Sequence, residues 1–260
     1  MCHSGFAATF EIAKQLNMIK ITCYGETDVG IKRSNNEDAF IVKPDLYFLA
    51  VADGMGGQAS GEVASRTFVD TTLEVFSKAG SHSEQETLEL IQKSFLLANN
   101  RILGRAMENP QEQGMGCTGE LIAFYQQNFV VGHVGDSRTY LFRQGKMKQI
   151  TRDHSFVQEL VHRGVITEED AKNHARRNVI LRAVGVKEDL AVDLIRGECL
   201  PGDIYLLCSD GLTGMVDDAI IENVLSTSGN LPEKTKQLIE LAKSAGGKDN
   251  ITVALCEILQ

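Results

Sequence analysis

The sequence predicts an α+β fold, with strands and helices in separate runs along the chain. Short runs of strand length, split by turn residues, fill residues 117–150, whereas two longer stretches between about 60 and 107 carry apolar residues at helical spacing. Strands return after about residue 190 without a regular alternation of strand and helix. This order argues against a doubly wound parallel sheet.

Two strands and two helices are predicted in the first part of the chain. Residues 19–24 alternate in the manner of a strand, and residues 46–52 form an apolar run of the length of a strand buried on both faces. A Ser-x-Glu start and helical apolar spacing predict a helix over about 60–78. A second amphipathic helix is predicted over about 83–107, where Asn-Pro follows.

The second part is rich in strands, and a polar insert interrupts them. The short runs between 117 and 150 predict an antiparallel meander. Residues 153–185 are polar and basic, and we interpret them as a helical insert. The predicted elements are strands at 118–125, 128–134, 137–143, 146–150, about 190–196, 203–208 and 251–258, and helices at 217–226 and 232–245.

Composition places the chain among globular proteins and excludes several partners. Of its 260 residues, 43% are hydrophobic and 23% are charged, which fits neither disorder nor a fibre. The formal net charge of −9 repels nucleic acid, so no nucleic acid partner is expected. No apolar run reaches the roughly 18 residues of a membrane helix, so none is predicted. The 6 cysteines include no C-x-x-C pair and are interpreted as reduced core residues.

The chain shows no linker or repeat, so residues 19–260 are predicted to form one domain. Residues 1–18 are interpreted as an N-terminal extension, either a short appended helix or a product of start-site choice. The extension lacks the basic start and long apolar stretch of a secretory signal. We therefore expect a cytoplasmic protein, and we expect it to be a monomer.

Acidic residues recur where buried apolar strands end or in the turns beside them. One such acid beside a glycine is usually a turn residue, and an acidic surface is the ordinary reason for a carboxylate excess. Strand ends on one side of a sheet gather in space, however, and gathered carboxylates repel strongly at low dielectric. A bound cation would relieve this repulsion. The acids concerned are Glu37, Asp38, Asp53, Asp136, Asp210 and Asp249.

The candidate ligands indicate which cation would bind. They offer oxygen atoms only, which suits magnesium, manganese or calcium rather than zinc or copper. Two such ions about 3.5–4 Å apart can activate a water and clamp a phosphoryl group. Arg33, four residues before Glu37, carries a guanidinium suited to phosphate oxygens, or else it is a salt-bridge partner.

Five motifs carry a resemblance to a known family. In order and spacing they resemble the metal-dependent type 2C (PPM family) serine/threonine protein phosphatases, most of all the small stand-alone bacterial members, over about residues 20–258. The resemblance implies a central β-sandwich of two antiparallel sheets, flanked by helices on both outer faces, with a flap formed by about 153–185. The motifs are TDVGIKRSNNED at 27–38, ADGMGG at 52–57, VGDSR at 134–138, LCSDGL at 207–212 and GKDNI at 247–251.

The resemblance also implies a binuclear metal centre that holds Mn²⁺ or Mg²⁺. Asp53 should bridge the two ions. Glu37 and the backbone carbonyl of Gly54 should complete the ligand set of one ion, and Asp210 and Asp249 should complete that of the other.

Three more residues receive roles from the resemblance. Arg33 should hold the substrate phosphate, and Asp38 should orient the metal-bound water. Asp136, together with Asp210, matches a third-metal site of bacterial relatives.

The chain departs from the family pattern at two places. Met55 stands where eukaryotic members carry a histidine proposed as general acid, and Glu120 stands after Gly119 where small apolar residues are expected. His154 is the remaining general-acid candidate, a metal-bound water being the other source of the proton. His133, inside an apolar strand, is interpreted as a core histidine.

The implied activity is hydrolysis of phosphoserine and phosphothreonine in proteins by direct attack of a metal-bound water, which reverses serine/threonine kinase action. Phosphorylated proteins would be the partners. A pseudophosphatase that acts as a binding module is one alternative, although every inferred side-chain ligand is present. A dedicated phosphatase of one small regulatory phosphoprotein is another, and the sequence leaves it open.

Overall fold

A computed structural model describes residues 19–56, 60–79 and 83–259. The predicted N-terminal extension lies outside these residues. Two five-stranded sheets dominate this part of the chain, and all of their strand pairs are antiparallel. The first sheet has the order β1 (Ile21–Asp28), β12 (Ile251–Ile258), β11 (Ile204–Cys208), β8 (Arg138–Arg143) and β9 (Lys146–Gln149). The second has the order β10 (Asp193–Glu198), β7 (Asn128–Val134), β6 (Gly119–Tyr125), β3 (Phe48–Ala52) and β2 (Ala39–Lys43).

The two sheets pack face to face over a shared apolar core. Tyr205 on β11 packs edge-on against Phe124 and Phe129 of the second sheet, with ring centroids 5.5 and 5.0 Å apart. Branched and small residues of β3, β7 and β12 fill the rest of this layer. Aromatic edge contacts add to the burial of apolar area, which holds the sheets together. The predicted β-sandwich is confirmed.

Helices cover both outer faces of the sandwich. Two long helices pack on the second sheet and two on the first, each pair burying its own apolar cluster. Capping boxes at Ser83 with Glu86 and at Asn230 with Glu233 fix the starts of two of them. The helices are α1 (Ser60–Ser77), α2 (Glu84–Glu108), α3 (Phe156–His162), α4 (Glu168–Lys172), α5 (Asp210–Thr213), α6 (Asp218–Ser226) and α7 (Leu231–Ser244). None of the described helices is long and apolar enough to cross a membrane.

The predicted meander is wrong at one point. Residues 119–134 form a hairpin in the second sheet and 138–149 form a hairpin in the first, so the chain changes sheets between β7 and β8. Gly135 makes this crossing possible, because its φ of +113° is a conformation that other residues rarely adopt. A Cβ at this position would also lie 2.6 Å from Thr118 Cγ2.

Other differences from the predicted elements are local. Strand β2 is absent from the prediction, because its short Ala-Phe-Ile-Val-Lys run follows the polar, acidic segment without a turn signal. β1 continues to Asp28. A short ladder, β4 (Gly54–Met55) with β5 (Gly116–Cys117), was not predicted either. Only α3 and α4 are helical within 153–185, so the helical interpretation of that insert is only partly right.

Candidate active site

The predicted acids lie at strand ends that the two sheets bring to one end of the sandwich. The first residue of β2 pairs with the last residue of β3, which sets Asp38 beside Asp53. The last residue of β11 pairs with β12 near its start, which sets Asp210 near Asp249. The carboxyl groups of Asp53 and Asp210, which follow strands of different sheets, interact electrostatically with each other. The antiparallel pairing therefore builds the cluster from residues far apart in the sequence.

These carboxyl groups, of which Asp38 and Asp136 are buried and the others half-buried, raise one another's pKa. Burial raises the pKa of Asp53 well above its ordinary value, and the charges of Asp38, Asp210 and Asp136 raise it further. Burial likewise raises the pKa of Asp38 to about 7 and that of Asp136 to about 8. The pKa of Asp210 is raised by burial and by the charge of Asp249. The cluster holds more negative charge than its surroundings neutralise.

Asp38 is held by one of its two oxygens. Its Oδ2 accepts hydrogen bonds from Ser209 Oγ at 2.8 Å and from Thr252 Oγ1 at 2.6 Å. Its Oδ1 is buried and has no hydrogen-bond partner. A buried carboxylate oxygen without a hydrogen-bond partner costs free energy, so a further donor or a cation at this atom would stabilise the site. The two hydroxyls fix the orientation of the carboxyl group.

Glu37 and Gly54 are locked together by their backbones. The N–H of Gly54 donates to the carbonyl of Glu37 at 3.1 Å, and Asn250 Oδ1 accepts from the N–H of Glu37 at 2.8 Å. A Cβ at Gly54 would lie 2.2 Å from the carbonyl oxygen of Gly61 and 2.4 Å from that of Glu37. Only glycine fits at this position.

Arg33 and Asp249 form an ion pair at the outer side of the cluster. Arg33 Nη2 donates to Asp249 Oδ2 at 2.7 Å, and both side chains are partly exposed. The salt-bridge role that the sequence left open for Arg33 is thus present. The guanidinium also interacts electrostatically with Glu37 and Asp53, so it lies close to the acidic cluster.

Asp136 shares its scaffold with Asp53. Thr118 Oγ1 accepts from the N–H of Asp53 at 2.9 Å and lies 2.6 Å from Ser137 Oγ. Arg138 makes a bidentate ion pair with Asp153, with its closest contact at 2.8 Å. The turn that carries Asp136 is therefore fixed on both sides.

The cluster fits a divalent cation through the chemistry of its donors. No group of three or more His, Cys, Asp or Glu side chains within 19–56, 60–79 and 83–259 converges as a ready metal shell. Two carboxylates are turned to other partners, since Asp249 binds Arg33 and one oxygen of Asp38 binds hydroxyls. The donor set still consists of oxygens, which Mg²⁺ and Mn²⁺ prefer, and Mg²⁺ keeps several of its ligands as water. The orphaned Asp38 oxygen and the raised carboxyl pKa values favour a cation here.

His154 is unsuited to the role of general acid. Its ring is buried, its Nδ1 accepts from the N–H of Gly135 at 3.1 Å, and its Nε2 lies 3.2 Å from Asp193 Oδ2. Burial, followed by the charges of His133 and Arg182, lowers its pKa to about 4. A histidine that is neutral at pH 7 and bonded through both nitrogens carries no proton acidic enough to deliver to a leaving group.

This burial predicts a pH-dependent contribution to stability. The pKa of His154 is about 4 in the folded chain, against an ordinary value of 6.5, so the unfolded chain binds more protons between these values. Stability should therefore fall as the pH drops from 6.5 to about 4, by up to roughly 3 kcal/mol. The free energy of unfolding, measured with urea, should depend less on pH in this window for His154→Asn than for the unchanged chain. The exposed His162→Asn should behave like the unchanged chain. Parallel profiles for all three proteins would contradict this.

Sequence reasoning missed the residues that hold the acids in place. Ser209 and Thr252 bind Asp38, Thr118 binds the backbone of Asp53, and Asn250 joins β12 to the loop before β2. Ser209 and Asn250 lie next to the predicted ligands Asp210 and Asp249 inside the motifs, and this position is a sequence signal that could have identified them. Thr118 and Thr252 carry no such signal.

Comparison with known proteins gives the family. A family profile described as Protein phosphatase 2C matches residues 31–256. The serine/threonine phosphatase stp of Listeria innocua is 40% identical over 235 residues, which cover 89% of this chain and 93% of the relative. The serine/threonine protein phosphatase PstP of Mycobacterium tuberculosis is 39% identical over 236 residues, which cover 90% of this chain and 44% of the relative.

Solved structures agree with this match. A crystal structure of M. tuberculosis PstP/Ppp has a TM-score of 0.86 and 36% identity, covering 92% of this chain and 99% of the other. The PstP catalytic domain in complex with two manganese ions has a TM-score of 0.85 and 35% identity, with the same coverage. The fold and site define a phosphatase of the type 2C class, and this chain belongs to the protein phosphatase 2C family.

Proposed function

We propose that this chain hydrolyses phosphoserine and phosphothreonine in proteins, with Mn²⁺ or Mg²⁺ at the acidic end of the sandwich. The observation that carries the proposal is a group of buried (Asp38, Asp136) and half-buried (Asp53, Asp210) carboxyl groups whose pKa values are raised by desolvation and by one another. Such a group is an unfavourable arrangement unless cations neutralise it. Family membership and the two manganese ions of the PstP catalytic domain support the same activity.

Five residues would hold the two core ions. Asp53, the most central carboxylate, would bridge them. Glu37 and the carbonyl of Gly54 would serve one ion, and their locked backbones support this pairing. Asp210 and Asp249 would serve the other, which requires Asp249 to exchange Arg33 for the cation. When bound, the ions would lower the pKa of water and neutralise charge on the phosphoryl group.

The chain's own residues would divide the remaining work. Asp38 would orient the attacking water through Oδ1, since its Oδ2 is already held by two hydroxyls. Arg33, released from Asp249, would bind the phosphate oxygens through its guanidinium. His154 has no part in delivering a proton to the leaving group.

A third ion is part of the proposal. Asp136, with Asp210, would hold it, and the raised pKa of Asp136, about 8, supports a cation there.

We further propose one phosphatase domain over residues 19–260, with 153–185 as its flap. We also propose a cytoplasmic monomer whose partners are phosphoproteins. The formal net charge of −9 supports the absence of a nucleic acid partner.

The substrate class is tested with matched peptides. Purified chain with Mn²⁺ should release phosphate from a phosphothreonine peptide and from its phosphoserine counterpart. A phosphotyrosine peptide of the same sequence should be hydrolysed at least about tenfold more slowly, which corresponds to 1.4 kcal/mol of discrimination. Binding of the phosphothreonine peptide without any release of phosphate would contradict the proposal and favour a binding module.

A further inference from the structure

Two histidines, His133 and His154, each bind a backbone group next to the other one where the chain crosses between the sheets. His133, on β7, places Nε2 at 2.9 Å from the carbonyl oxygen of Arg152. His154 donates from its backbone N–H to the carbonyl of Gly135 at 2.6 Å, and its ring Nδ1 accepts from the N–H of Gly135 at 3.1 Å. The two rings are 4.4 Å apart between centroids. Segments 133–135 and 152–154 are therefore tied by three hydrogen bonds.

A carboxylate orients each ring. Because a carbonyl only accepts, His133 Nε2 carries a proton and Nδ1 faces Glu120, its cross-strand partner on β6. Because the Gly135 N–H only donates, His154 Nδ1 is unprotonated and Nε2–H faces Asp193. The backbone partner of each ring thus fixes which nitrogen carries a proton, and the carboxylate on the other nitrogen holds the ring plane, as second-layer carboxylates do for metal-ligating histidines.

Glu120 also joins the two sheets. Its Oε2 accepts from Thr139 Oγ1 at 2.5 Å, and Thr139 lies on β8 in the opposite sheet. Both Glu120 and His133 are fully buried. Replacing a buried pair of charged or polar side chains by apolar residues of similar volume often leaves the stability of a protein unchanged. A pair such as Glu120 and His133 can therefore position its neighbours rather than add stability. His133 of this pair lies two residues before Gly135, where the chain crosses between the sheets.

The tied segments border two parts of the proposed active site. Asp136 follows Gly135 directly. The segment 153–185 begins within the tied segment 152–154. Its last residues return to the same place, because the N–H of Leu181 donates to the carbonyl of His154 at 2.7 Å. Arg182 binds Asp193 at 2.6 Å, which attaches the same end to the carboxylate that orients His154.

We propose that Glu120, His133 and His154 are positioning residues that hold the Asp136 turn against both ends of the 153–185 segment. None of the three is a catalytic residue. Their effect on turnover rests on the proposed phosphatase function, whereas their effect on backbone order does not. The geometry gives a reason for Glu120, which departs from the small apolar residues expected there.

The test uses Glu120→Leu with Glu120→Gln as its matched control. Gln keeps an acceptor for Thr139 and a donor for His133, whereas Leu keeps the approximate volume and neither bond. In Glu120→Leu, hydrogen exchange of peptides over 133–137 and 152–156 should accelerate about tenfold more than exchange in β12, as expected for loss of roughly one hydrogen bond. Glu120→Gln should stay within about threefold of the unchanged chain.

Kinetics give the second measurement. Glu120→Leu should lose about 10–100-fold in kcat per folded molecule on a phosphothreonine peptide, the range for loss of an outer-layer partner, with KM nearly unchanged. Glu120→Gln should restore most of it. If Glu120→Leu does not fold, His154→Phe replaces it, because that ring keeps its shape and loses both nitrogen contacts.

The outcomes separate the two proposals. Exchange that rises uniformly over the chain, or kcat per folded molecule that is unchanged, would overturn the positioning role. An unchanged chain that hydrolyses no phosphopeptide would overturn the proposed function instead. The exchange measurement would then still decide whether the histidines order the two segments.

Discussion

Asp53→Asn is expected to reduce Mn²⁺-dependent hydrolysis of a phosphothreonine peptide by more than about 10³-fold, above what loss of one electrostatic donor usually costs. Asp53 is the carboxyl group that interacts with every other buried acid of the cluster, and an amide cannot supply the bridging charge. The variant should fold. Because it removes one charge from a group of mutually repelling acids, the metal-free variant should unfold at a higher temperature than the metal-free parent.

Three measurements check this prediction. Turnover is measured at saturating Mn²⁺, the number of bound ions by calorimetry, and the melting temperature of the metal-free protein by circular dichroism. Arg33→Ala is the matched control at the same site. It should keep both ions and mainly raise KM, because it removes a phosphate contact and not a metal ligand. An Asp53→Asn protein with normal turnover would refute the bridging role.

The positions of the acids could be predicted because two physical patterns coincide. Apolar runs such as 46–52 and 203–208 identify buried strands, and the turns that follow them hold Asp53 and Asp210. Antiparallel pairing then brings the end of β3 beside the start of β2, which sets Asp53 beside Asp38. Local patterning therefore indicated which acids gather.

The rest depends on contacts between distant parts of the chain. The switch of sheets at Gly135 has no periodic signal, because each hairpin beside it looks the same in a meander. The ion pair of Arg33 with Asp249 joins residues 216 positions apart, and motif spacing does not predict such a pair. The sequence makes His154, at the start of the 153–185 segment, the remaining general-acid candidate, and only its burial and its bonds to Gly135 exclude that role.

Metal removal and return tests the central claim that the acidic end of the sandwich is a metal centre that drives phosphoester hydrolysis. Protein treated with EDTA and desalted is titrated with Mn²⁺, while bound metal and phosphothreonine peptide turnover are followed in the same samples. The chelated protein should be inactive, and activity should return as two ions bind per chain, with a third binding more weakly. Full turnover in a sample shown by mass spectrometry to hold no metal would contradict the account.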